Sequence, residues 1–180
     1  MKKIMTMILM LAVVLGLVVL TGCNQDVSTD DPQTNVKDYE NLDEMNQQLD
    51  VNLNVPAGAE KAQFNIVDGK IAQSDYYVDD IHYVVRVTKG QQDNLSGISV
   101  NEKFTNDETA EICGLTTKLR YNVAENNVEP DTSYGVADAY DSATDISYCV
   151  FMIKGGTKDL LVSAMEKLIT GDTKVTTQDE

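Results

Sequence analysis

His82 is the only histidine in the 180 residues, and that count limits the acid–base chemistry open to the chain. An imidazole titrates near neutral pH, so it is the usual proton carrier. Nucleophilic catalysis also needs a Ser or Cys beside such a base, and no G-x-S-x-G elbow occurs. A zinc site needs several His or Cys ligands, which His82 with Cys113 and Cys149 does not supply. Calcium needs a dense oxygen loop. "DAYDSATD" offers Asp138, Asp141 and Asp145 but lacks the EF-hand spacing and its central Gly, and it reads as a solvated turn. "KGGTKD" has Gly-Thr-Lys in the wrong order for a phosphate loop, so its glycines read as a strand-to-helix turn. The residue pattern assigns no catalytic residue, no metal ligand and no cofactor, and the expectation is that the protein is not an enzyme.

The best polar constellation is Gln73, Asp75, Tyr77, His82 and Arg86. Its positions follow from two turn signals in "KAQFNIVDGKIAQSDYYVDDIHYVVRVTKG", residues 61–90: Asp68-Gly69 and Asp79-Asp80. Two-residue loops at both predict a three-stranded antiparallel meander. Val78 then faces Ile81, Tyr76 faces Tyr83, and Ser74 faces Val85. With Ala72, Val67 and Val87 these residues form the predicted core face. The opposite face collects the five polar residues, with Phe64 and Ile66 on the neighbouring strand. Gln73 lies across from Arg86, and Asp75 is diagonal to it. Two readings stand: a solvated face with a surface ion pair worth about 0–1 kcal/mol, or a recognition face.

Other elements frame this meander. "NLDEMNQQL" places Leu42, Met45 and Leu49 at helical spacing behind an Asn41 cap, and Pro56 closes the extended "VNLNVP". A polar loop around "DNLSG" follows the meander. The sheet resumes in "EICGLTTKLRYN", with Cys113-Gly114 in the slot Asn-Gly usually fills, then in "YGVADAY" and "ISYCVFMI". A last helix starts at Thr157, carries Leu160, Leu161, Ala164, Met165 and Leu168 as one apolar stripe, and ends at Gly171. Strands followed by a packing helix predict an α+β domain, an antiparallel sheet with a short N-terminal helix and a C-terminal helix on one face. Cys113 at a turn and Cys149 inside a strand are expected to be free thiols, because a disulfide tolerates about 7 Å between Cα atoms at most.

The N-terminus reads as a targeting segment. Lys2 and Lys3 precede an uncharged apolar run from Ile4 to Leu20, the layout of a secretory signal. "LTGC", residues 20–23, resembles the lipobox of bacterial lipoproteins. That resemblance implies cleavage before Cys23 and a diacylglyceryl group on its thiol. Residues 1–22 are then signal peptide, 23–38 a lipidated flexible tether, 39–171 one domain and 172–180 a frayed tail. Residues 1–22 hold two of the 14 basic residues and none of the 29 acidic ones. Cleavage therefore leaves 158 residues and moves the net charge from −15 to −17. Such a surface repels phosphates, which argues against nucleic acid as a partner.

The order "DEMNQQLDVNLNVP", "DGKIAQSDYYVDDIHYVVRVTKG", "DNLSGI" and "ISYCVFMIKGGTKDLLVSAMEKLI" resembles the bacterial family of unknown function numbered 4367. That family occurs in Gram-positive lipoproteins and beside anti-sigma-factor regions. The resemblance spans most of residues 41–169 and rests on turns, a strand Arg and a closing helix. The chain departs from it near "ADAYD", where a Trp often stands. It implies location and fold but no catalytic residue. The expected function is a non-catalytic, membrane-anchored extracytoplasmic module that binds a protein or other partner in the cell envelope. The alternatives are a small-ligand or cation receptor and an envelope hydrolase.

Overall fold

Ten elements follow one another among the described residues: strand β1 (Val36–Tyr39), helix α1 (Leu42–Leu49), strands β2 (Glu60–Val67), β3 (Ile71–Val78), β4 (Ile81–Lys89), β5 (Asn106–Ile112), β6 (Leu115–Tyr121), β7 (Gly135–Asp141) and β8 (Ile146–Met152), and helix α2 (Lys158–Thr170). The computed structural model describes residues 35–98, 104–122, 134–153 and 157–171. The signal segment, Cys23, most of the tether, the Gly155-Gly156 break and the tail lie outside the described residues. No helix among those described is long and apolar enough to cross a membrane.

The fold is α+β: an eight-stranded antiparallel sheet in the order β1-β2-β3-β4-β8-β7-β6-β5, with two helices. The expected three-stranded meander thus supplies three of the four strands of one half-sheet, with β1 added at its outer edge. Two four-stranded meanders meet where β4 pairs β8, with Val85 opposite Val150. Alternation sends Tyr76, Tyr83, Val85, Val87, Leu119, Ala137, Val150 and Met152 to one face, where they form the main buried cluster. Leu161, Ala164, Met165 and Leu168 of α2, and Met45 of α1, belong to the same cluster. Gly135 makes a close approach possible. A Cβ there would meet Leu161 Cδ2 at 3.0 Å and Tyr121 Cβ at 3.2 Å.

Helix caps fall where the residue types place them. Asn41 accepts from Asp43 N at 2.8 Å, and Thr157 Oγ1 accepts from Leu160 N at 3.3 Å. Each satisfies one of the free N–H groups at a helix start. The β3–β4 hairpin has the predicted register, Val78↔Ile81, Tyr76↔Tyr83 and Ser74↔Val85. The Cys113-Gly114 turn joins Ile112 to Leu115 as expected, with both turn residues at positive φ.

Three expectations need correction. The β2–β3 connection has one residue more than predicted. The Asp68-Gly69 turn forms, and Lys70 N donates to Val67 O at 3.2 Å. Lys70 then enters as an extra residue, so Val67 faces Ile71 rather than Lys70. One residue of slip exchanges the faces of a strand. Ile66 and Phe64 therefore lie on the core face, opposite Ala72 and Ser74, and Val67 lies on the other. The tether is shorter than predicted, because β1 recruits Val36–Asp38 to the sheet. Asp68 clamps its start, donating to Asn35 O at 2.7 Å and accepting from Asn35 N at 3.0 Å. Finally, Leu160 is 39 % exposed and leaves the predicted stripe of α2.

Candidate functional site

The face opposite the main cluster, the outer face, carries one polar row across the whole sheet. Asp38, Asn65, Gln73, Arg86, Cys149, Asp138, Lys118 and Thr109 stand side by side, one from each strand. Antiparallel pairing places such neighbours about 4.5–5.5 Å apart at Cβ, so polar side chains along the row are within reach of one another.

Arg86 is the centre of the predicted constellation, and its donors are held within the fold. Its Nε donates to Gln73 Oε1 at 2.7 Å. Its Nη1 donates to the carbonyls of Leu95 and Ser96 at 3.0 and 2.9 Å. Those carbonyls belong to the strap that leaves β4 at Gly90. The strap links β4, in mid-sheet, to β5 at the far edge. Its apolar side chains pack on the outer face as it goes: Leu95 is buried with Val136 and Cys149, flanked by Ile71, Ile98, Phe104 and Phe151. Gly97 lies where Arg86 comes closest. Its φ is +72°, and a Cβ would meet Arg86 Nη1 at 3.1 Å. The middle of this face is therefore covered, which neither sequence reading anticipated. No surface ion pair forms between Asp75 and Arg86; Gln73 Nε2 bridges them by donating to Asp75 Oδ2 at 2.9 Å.

Toward the β3–β4 hairpin the face opens. Asp75 Oδ1 lies 3.3 Å from His82 Nε2, and the two side chains are 27 % and 24 % exposed. The His82 ring stacks on Tyr77, with centroids 4.6 Å apart and planes 9° from parallel. Lys61 Nζ sits 5.1 Å from the centre of the Tyr77 ring, a cation–π distance. Lys61 reaches this point because β2 bulges between Glu60 and Gln63, with Lys61 at φ 55°. Neither the bulge nor the strap has a residue pattern of its own. The one cue was Leu95, an apolar residue inside a polar loop. The structure brings all five predicted residues together. Gln73 and Arg86 anchor one end, and Asp75, Tyr77 and His82 form the half-exposed end.

On the far side of Arg86, Cys149 is a free, buried thiol. Burial pushes its pKa well above the ordinary 9.0, and Asp138 adds to the rise while Arg86 and Arg120 oppose it. A protonated, enclosed thiol is no nucleophile. Arg120 Nη2 donates to Asp138 Oδ2 at 2.8 Å, and the guanidinium lies 5.3 Å from the Phe104 ring centre. Among the described residues, Arg120 Nε has no hydrogen-bond partner.

The three carboxylates of "DAYDSATD" are engaged separately. Asp138 pairs with Arg120, Asp141 accepts from Ala143 N and Thr144 Oγ1, and Asp145 accepts from Tyr140 Oη. Comparison with protein-family models, with curated proteins and with solved structures found no significant match to the chain.

Proposed function

We propose that this protein is a lipid-anchored, extracytoplasmic binding module whose contact surface is the Asp75–Tyr77–His82 end of the outer face. "LTGC" after an apolar run supports the anchor at Cys23 and the location. The resemblance to the family numbered 4367 implies the same location. The observation that carries the binding role is the half-exposed Tyr77–His82 stack, held from below by Asp75 and from the side by Lys61. Rigid aromatic side chains that present area at low entropic cost are what protein interfaces favour. Gln73 and Arg86 serve this surface by positioning: Gln73 Nε2 and Arg86 Nε and Nη1 are spent on bonds to Asp75, to Gln73 Oε1 and to the Leu95 and Ser96 carbonyls. Catalysis is not part of the proposal: among the described residues His82 meets the Asp75 carboxylate and stacks on the Tyr77 ring, and neither contact is to a serine or cysteine nucleophile.

Photo-crosslinking in intact cells tests this reading. Benzoylphenylalanine replaces Tyr77 in one full-length variant and exposed Thr116 in another. The expected result is a discrete protein adduct from position 77, absent from position 116 and lost when His82→Ala is added. Identical adducts from both positions, or none from position 77, would reject the surface.

A further inference from the structure

The main core is not closed at the tip of the β3–β4 hairpin. Tyr76, Val78 and Asp79 of the hairpin, Tyr83 of β4 and Pro56 border a cavity of ≈ 110 Å³ together with one stripe of α2. The helix contributes Leu160, Ser163, Ala164 and Lys167, spaced as i, i+3, i+4 and i+7 on one helical face. Tyr76 and Tyr83 stack at 5.6 Å to form a flat aromatic wall. The remaining lining is aliphatic except at Ser163 and at the two charged residues. Asp79 and Lys167 are opposite in sign, and neither has an opposite charge within 4.0 Å among the described residues. Leu160, the residue that left the predicted apolar stripe, is on this lining, so an occupant would cover it.

We propose that this cavity binds a free α-amino acid with a branched aliphatic side chain, of valine or leucine size. The space is somewhat smaller than the roughly 150 Å³ void that admits benzene, so one aliphatic side chain fills it and the polar head group stays at the mouth. Asp79 receives the α-ammonium there and Lys167 the α-carboxylate, in charge-assisted hydrogen bonds that are about twice as strong as neutral ones. A largely apolar lining that carries two opposite charges, both on exposed residues, matches the three parts of such a ligand. The site lies on the core side of the sheet and does not depend on the outer-face contact surface.

Isothermal titration calorimetry on the full-length chain in detergent tests it, with L-leucine, L-leucinamide and N-acetyl-L-leucine as probes. Leucine is expected to bind saturably, and blocking either end should weaken binding by about tenfold or more. Lys167→Ala should then remove the discrimination against leucinamide alone. Asp79→Asn should remove the discrimination against N-acetylleucine alone, and Asn tolerates the φ of 50° at that position. Leucinamide binding as tightly as leucine overturns the free amino acid in favour of a peptide N-terminus. No saturable heat from any probe, in protein that still unfolds cooperatively, overturns the site. Equal loss of all three probes in both variants overturns the head-group assignment.

Discussion

Arg86 shows why one side chain can matter for more than its charge. Its guanidinium joins β3, through Gln73, to two backbone carbonyls of the strap. Arg86→Ala would leave those carbonyls without their donor beneath a packed loop, so a loss of about 2–3 kcal/mol is expected. Urea unfolding should show it as a lower midpoint at unchanged slope. Arg86→Lys should recover only part, because an ammonium cannot reproduce the planar fork. The two described thiols should separate as clearly. Exposed Cys113 is expected to react with a maleimide in the native protein, and Cys149 only after denaturation. Burial raises the folded pKa of Cys149, whereas the unfolded thiol ionises near its ordinary 9.0. Its contribution to stability is therefore complete below about pH 9 and falls as pH rises further, since unfolding then releases a proton. Alkaline unfolding of Cys149→Ala should lack that slope. Much of this scale was legible in advance: Gln73 lies opposite Arg86 because a two-residue hairpin admits one register. The strap carbonyls were not legible, since backbone acceptors have no residue type.

Turns decide the elements, and they do so through single residues. Asp79 and Asp80 both hold positive φ, 50° and 63°, in a turn that prefers Asn-Gly. Asp80→Gly is expected to raise stability by about 0.5–1 kcal/mol, by relieving left-handed backbone in a residue with a Cβ. The same urea midpoint measures it. The adjoining Asp68-Gly69 turn misled the register because a turn signal states where the chain reverses, not how many residues precede pairing. Burial of Ile66, 2 % exposed, is satisfied only with Lys70 as the extra residue. Strand β1 was hidden for a related reason. A four-residue edge strand in which three residues are exposed has little alternation to read. The helices were the most legible elements, since caps and apolar spacing agree at both. Leu160 alone departed, where the helix borders an open cavity instead of the sheet.

At the scale of the molecule, charge and anchorage dominate. With 29 acidic and 14 basic residues, the chain repels itself at low ionic strength. Raising salt from about 0.01 to 0.15 M shortens the screening length from about 30 to 8 Å. The thermal midpoint should therefore rise over that range; a fall would mean that favourable pairs such as Lys158–Glu108 outweigh the repulsion. Replacing Cys23 with Ser removes the proposed acylation site, and cell fractionation should move the protein out of the pelleted membranes. Retention there would reject the lipid anchor. Location is thus argued from four residues near the N-terminus, and the α+β class from alternation along the chain. The strand order was not legible, because no local pattern records that β4 pairs with β8.

That strand order also bears on how the chain reaches its native state. The β1–β4 meander is built from neighbours in sequence and can assemble while the ribosome is still making the rest. The free edge of β4, with Val84, Val85 and Val87, then waits for β8, the last of the described strands to be synthesised. Non-local closure of this kind is slow relative to hairpin formation, and an unpaired apolar edge invites self-association meanwhile. The slowest and most aggregation-prone step of refolding is therefore expected at the centre of the sheet, where the two halves join.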